Sequence, residues 1–289
     1  MRLIQVSDAH LSSLADHSFW SLKGKRRLGY LSWYRNRRHQ LLRSMLDTLT
    51  DALAREEPDM IAVTGDLVHI GLEDELEQAR EWLAHLNTIA RLVVVPGNHD
   101  CYQRDAAANV EMLWNEWFQS HSGVPRFPFS IESDELCLIG LSSAEARPFW
   151  SAGGRIGDAQ LARLEGMLER SDTHAVGVLI HHPPYWHGVP PRKALDDADR
   201  LQALLRRKQV DFVLHGHLHV TRREMLGRDL RVLGVAAASS VSPRHPAAYR
   251  IVDTERTDDV VRLSTIVKQV FPDGRTRVDS EESWSKSSV

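Results

Sequence analysis

The chain has 289 residues, enough to bury a large core, and is read as one domain. Its 36 Lys and Arg nearly balance 39 Asp and Glu, giving a net charge of −3, so bulk charge does not mark a nucleic-acid binder. Two cysteines, Cys101 and Cys137, exclude a disulfide framework, and no run approaches the roughly 20 apolar residues that cross a bilayer.

The segment Arg2-Leu3-Ile4-Gln5-Val6 alternates like a short strand and leads into Asp8-Ala9-His10. A cleaved leader would remove these residues, so a cytoplasmic protein is expected. Extended backbone would put Asp8 and His10 on one side. Residues 17–40 then form a basic, aromatic insert. Between Asp16 and Asp47 there is no acidic residue, and Lys23, Lys25, Arg26, Arg27, Arg35, Arg37, Arg38 and Arg43 alternate with Phe19, Trp20, Tyr30, Trp33 and Tyr34. Charge runs are commonly solvated faces whose aromatics pack on the domain. The same mixture suits an anionic membrane surface or lipid phosphate, and less well single-stranded nucleic acid. Arg26, Arg27 and Trp33 are candidate substrate contacts.

Leu41, Leu42, Met45, Leu46, Leu49 and Leu53 recur at helical spacing, as do Leu72, Leu76, Ala79, Trp82, Leu83 and Leu86. Between these helices an apolar strand at 59–64 ends in Gly65-Asp66. A strand at 91–95 follows and ends in Gly97-Asn98-His99-Asp100. Residues 101–130 are expected to form a helical cap, with Arg104 facing substrate and Met112, Leu113, Trp114, Trp117 and Phe118 making an apolar rim. Strands at 136–141, 175–180 and 210–214 alternate with helices at 158–170 and 196–207, the arrangement of a parallel α/β sheet. The second of these strands runs into His181-His182-Pro183-Pro184 and the third into His215-Gly216-His217-Leu218-His219, where His215 faces away and is structural. Strand patterns return at 232–235, 249–252 and 260–267. The Ser- and Glu-rich tail 279–289 is expected to be disordered, leaving 1–278 as the domain.

Each polar segment stands at the C-terminal end of a strand, where open α/β sheets build their sites. Carboxylate, amide and imidazole ligands without thiolate favour Mn, Fe, Zn or Mg. Two such ions can lower the pKa of a shared water and stabilise both oxygens of an in-line displacement at phosphorus.

The order Asp-X-His, Gly-Asp, Gly-Asn-His-Asp, His-His-Pro, Gly-His-X-His, spanning about residues 4–220, resembles the calcineurin-like metallophosphoesterases. The resemblance implies a four-layer α/β/β/α sandwich with a binuclear site, held by two divalent ions with manganese foremost. It puts Asp8, His10 and His219 on one ion and Asn98, His181 and His217 on the other, with Asp66 bridging. It makes His99 a protonated group facing the scissile phosphorus, with Asp100 orienting its ring. His182 is a candidate substrate contact. The implied reaction is cleavage of a phosphodiester or pyrophosphate by a metal-bridged hydroxide. Two subgroups are similar: UDP-2,3-diacylglucosamine pyrophosphohydrolases of lipid A biosynthesis, favoured by the insert and implying peripheral contact with the inner membrane, and class III cyclic-nucleotide phosphodiesterases acting on 3′,5′-cAMP. A non-catalytic scaffold of the same fold is the remote alternative, and no obligate protein partner is implied.

Overall fold

A computed structural model describes residues 1–118, 127–169, 175–257 and 260–287. The elements are β1 Arg2–Val6, α1 Lys25–Arg35, α2 Arg43–Ala54, β2 Met60–Val63, α3 Glu73–Ile89, β3 Arg91–Val94, α4 Arg104–Leu113, β4 Phe129–Glu132, β5 Leu136–Gly140, α5 Asp158–Leu168, β6 Ala175–Leu179, α6 Ala198–Arg207, β7 Phe212–His215, β8 Arg222–Leu226, β9 Leu230–Gly234, β10 Ala248–Thr257, β11 Val260–Val270 and β12 Thr276–Ser287.

The strands make two six-stranded sheets, ordered β12-β11-β10-β1-β2-β3 and β4-β5-β6-β7-β9-β8. In the first, β1, β2 and β3 run parallel, and in the second β5, β6, β7 and β9 do. Side chains alternate between faces along a strand, and every parallel strand here is buried on both. Met60 and Ala62 of β2 face the other sheet, meeting Leu138, Leu179, Phe212 and Leu214. Ile61 and Val63 face outward onto Leu46, Leu49, Leu53, Leu76 and Leu83 of α2 and α3. On the far side, α5 and α6 cover the second sheet through Leu161, Leu164, Leu201 and Leu205. The layers are therefore α/β/β/α, as the resemblance implied. Near the site end the sheets are tied by Gln5, whose buried amide donates to the His215 carbonyl oxygen at 2.9 Å.

Two expectations are corrected. The tail is not disordered: β12 runs to Ser287 and pairs along β11. Its Glu282 joins Arg223 and Arg231 of the second sheet at 2.8 and 3.1 Å, and Arg231 lies 4.2 Å over the Trp284 ring. Ser and Glu residues line this strand because it is an edge, where polar side chains face water on one side. The expected apolar rim is core: Trp114, Trp117 and Phe118 are buried against α3, and only Met112 is largely exposed. Residues 119–126 of that expected cap lie outside the described residues. The basic insert contains the helix α1. Its Trp33 and Leu22 pack with Leu14, Ile70 and Tyr102, while Trp20 stays 79% exposed.

If β12 is part of the fold, deleting residues 276–289 will lower the urea midpoint, and an unchanged midpoint would return the tail to disorder. In the inter-sheet core, Leu263→Ala will cost about 2–5 kcal/mol by the same measurement.

Candidate metal centre

The strand ends deliver their polar segments through left-handed backbone. Asp8, His10, Asp66, His217 and His219 have φ of 53°, 39°, 58°, 71° and 58°, and they are five of the seven non-glycine residues with positive φ among those described. This replaces the period-two rationale for Asp8 and His10, since neither is extended. Such backbone is uncommon and costly for side-chain-bearing residues, and it concentrates where a site fixes it. Two glycines permit the close approach. A Cβ on Gly97 would strike the Asp66 carboxylate, and one on Gly216 would strike Ser7 Oγ.

The ligand atoms of Asp8, His10, Asp66 and His219 all lie within 4.8 Å of one another, as do those of His181, His182 and His217. His219 Nε2 is 3.2 Å from Asp8 Oδ1 and 3.3 Å from His10 Nε2. His181 Nε2 is 3.3 Å from both Asp66 Oδ2 and Asn98 Oδ1, so Asp66 stands where the groups meet.

Backbone carbonyls set the tautomers. His10 Nδ1 donates to Val68 O at 2.8 Å, leaving its Nε2 lone pair turned inward; His181 Nδ1 donates to Thr64 O at 2.7 Å, and the Asp66 carboxylate beside its Nε2 raises that imidazole to about 9 against the cost of burial. His217 donates instead through Nε2, to Lys193 O at 3.0 Å, leaving Nδ1 for the site. Burial drives His10 and His217 well below the usual imidazole range, which keeps them neutral. Imidazole nitrogens converging on buried carboxylates are a donor set that divalent cations satisfy once His181 gives up the proton it shares with Asp66.

Asp100 does not orient His99. Its carboxylate accepts backbone N–H bonds from Asp66 and Gly97 at 2.8 Å each and from Leu67 at 2.8 Å, joining two ligand loops. Burial and the neighbouring Asp66 push its carboxyl up to about 7 against those donors. What orients His99 is the His69 carbonyl oxygen, which accepts from Nδ1, and the Tyr102 ring, stacked on it at 5.6 Å. The Arg37 guanidinium lies against the same imidazole, 2.9 Å from Nε2. Burial and that guanidinium hold His99 well below its ordinary pKa, so the expected protonated His99 is corrected to a neutral one.

Sequence reasoning missed Arg37 and His69 as site residues. The absence of acids from the insert was the only signal that a free cation there would seek the Asp8 and Asp66 carboxylates. The other residues expected to contact substrate have these surroundings. Arg26 is consumed by Ile70 O, Gly71 O and Asp105, and Arg27 by Leu22 O. Trp33 is buried, and His182 spends both ring nitrogens on Ser143 and Ala152. Arg104 is exposed at the start of α4.

With this geometry, the profile of the calcineurin-like phosphoesterases matches residues 1–221. The chain belongs to that family. It is a phosphoric ester hydrolase, and its His and Asp clusters fit divalent metals. A probable cyclic nucleotide phosphodiesterase of Synechococcus sp. (strain WH7803) is 30% identical over 85% of this chain and 84% of its own. A glycerophosphodiester phosphodiesterase, GpdQ, of Enterobacter lignolyticus is 31% identical over 57% of this chain, which spans only 57% of that relative. Among solved structures, a dimetal phosphatase from Danio rerio shares the fold with a TM-score of 0.65 at 14% identity, covering 100% of this chain and 99% of that one. No described helix is long and apolar enough to cross a membrane.

Because Asp100 fastens the loops and not His99, Asp100→Ala will lower both thermal stability and metal content. A variant of unchanged stability that only slows turnover would contradict that role.

Proposed function

We propose that this family member hydrolyses a phosphodiester at a two-metal centre. Asp8, His10 and His219 would hold one ion, Asn98, His181 and His217 the other, with Asp66 available to both. The observation that carries this reading is the set of backbone anchors: His10, His181 and His217 each donate one ring N–H to a backbone carbonyl and turn the other nitrogen inward among the carboxylates. Ions bound there supply Lewis acidity toward the phosphoryl oxygens and make water a nucleophile near neutral pH.

The chain's own residues do the rest. Arg37 brings a guanidinium beside His99, the residue expected to face phosphorus, so the charge stabilisation assigned to a protonated His99 falls to Arg37. His99, whose Nδ1 donates to His69 O, presents a bare Nε2 that accepts from Arg37 and so holds the guanidinium at the site. Left-handed backbone at Asp8, Asp66 and His217 fixes the spacing before substrate arrives. The ligand set leaves the metal open among hard divalent ions, and manganese remains the first to test.

The named relatives act, by their names, on glycerophosphodiesters and cyclic nucleotides, both diesters. The lipid-nucleotide reading drew on the insert; with Arg26, Arg27 and Trp33 tied into the fold, that support falls away.

Supplied with manganese, the protein will hydrolyse bis(p-nitrophenyl) phosphate, and Asp66→Ala will abolish both turnover and bound metal measured by elemental analysis. Arg37→Ala will keep its metal while kcat/KM falls about 10²–10³-fold, the usual loss for one charge-stabilising donor. Metal loss in that variant would refute the role given to Arg37.

A further inference from the structure

Next to Tyr102, whose ring stacks on His99, lies an open cleft of about 430 Å³ lined by Lys25, Tyr102, Arg104, Asp105, Arg147 and Phe149. That is within the size range of small-molecule sites. Its charges are unevenly matched. Asp105 is neutralised by Arg26 at 2.7 Å, and Arg147 pairs with Glu145 and Asp196 at 2.7 and 2.6 Å. Lys25 and Arg104 have no carboxylate partner among the described residues. Lys25 instead lies 4.3 Å over the Tyr102 ring, and its Nζ donates to Arg147 O at 3.3 Å. Neither cation is ion-paired at the cavity, although the Asp66 carboxylate acts on Lys25 from the metal centre, and Lys25 stands on a helix seated against the ring that stacks on His99.

The rim adds a second chemistry. Phe149 and Trp150 are 64% and 65% exposed, and their rings meet edge to face at 4.8 Å. Exposed aromatic pairs beside unpaired cations offer a stacking face to a base and charge to its phosphate. An uncharged glycerol-like arm would use neither.

We propose that this cavity is a subsite for a nucleotide arm of the substrate. Lys25 and Arg104 take a phosphate other than the scissile one, and the base rests on Phe149 and Trp150. The inference rests on the diesterase reading and narrows it to diesters in which one alcohol is a nucleotide carrying its own phosphate. Arg104 thereby returns as a substrate contact, at a place set by the tertiary structure.

Calorimetric titration of metal-stripped protein with adenosine 5′-monophosphate and with adenosine tests the subsite without the reaction. The monophosphate will bind at least tenfold more tightly. That ratio will collapse toward one in the double variant Lys25→Ser, Arg104→Ser, while Arg104→Lys, which keeps the charge at an exposed position, will preserve most of it. Trp150→Ala will weaken both ligands. With manganese, the wild-type protein will cleave the 5′-phosphorylated dinucleotide pApA with a kcat/KM at least tenfold above that for ApA. Equal binding of the two ligands, or a ratio untouched by the double substitution, overturns the subsite. Selective binding of the monophosphate in a protein that cleaves no diester upholds the subsite and overturns the diesterase reading.

Discussion

At the meeting of the two sheets, Asp8, Asp66, Asn98, His10, His181 and His217 are buried together, carboxylates, amide and imidazoles crowded into one place. Burying such groups without partners costs several kcal/mol, far more than ordinary surface polarity. The rest of the molecule is organised by the need to hold them. Parallel strands bring five segments to one edge, left-handed backbone turns the side chains inward, and carbonyl oxygens of residues 64, 68 and 193 take the spare imidazole protons.

Two carboxylates outside the ligand set carry much of that constraint. Asp100 accepts N–H groups from both the Asp66 and Gly97 loops, and Glu75 accepts those of His69, Ile70 and Leu72 together with the Ser12 hydroxyl. Backbone donors in buried loops must be paired somewhere, and one carboxylate can serve several. The loops bearing Asp66 and His99 are thus fastened from beneath, and the reacting side chains stand on a frame already satisfied.

The insert contributes through two kinds of residue. Trp33, Leu22 and Arg26 anchor it on the loop after Asp66, and this anchoring presents Arg37 to His99 and Lys25 to the neighbouring cavity. Its basic composition has a local cause, the carboxylates it faces, and its exposed Trp20 and Tyr34 lie apart from that function.

The alternating strand and helix patterns, and the polar residues at strand ends, were legible because parallel strands buried on both faces leave continuous apolar runs that stop where the site begins. The polar segments therefore stood out by their order and position, while the ligand set itself was what the family resemblance implied. The roles of Asp100, Arg37 and His182 were legible in neither. Asp100 and His99 are neighbours in sequence, yet the Asp100 carboxylate points beneath the loop. Arg37 lies 62 residues from the imidazole that it touches. His182 adjoins a ligand but turns to Ser143. The tail misled because an edge strand paired on one side has the polar composition of a disordered one, and only the β11 partner distinguishes them. Sequence by itself determined which atoms could gather; packing of the two sheets decided which way each side chain faces, because orientation depends on partners distant in the chain.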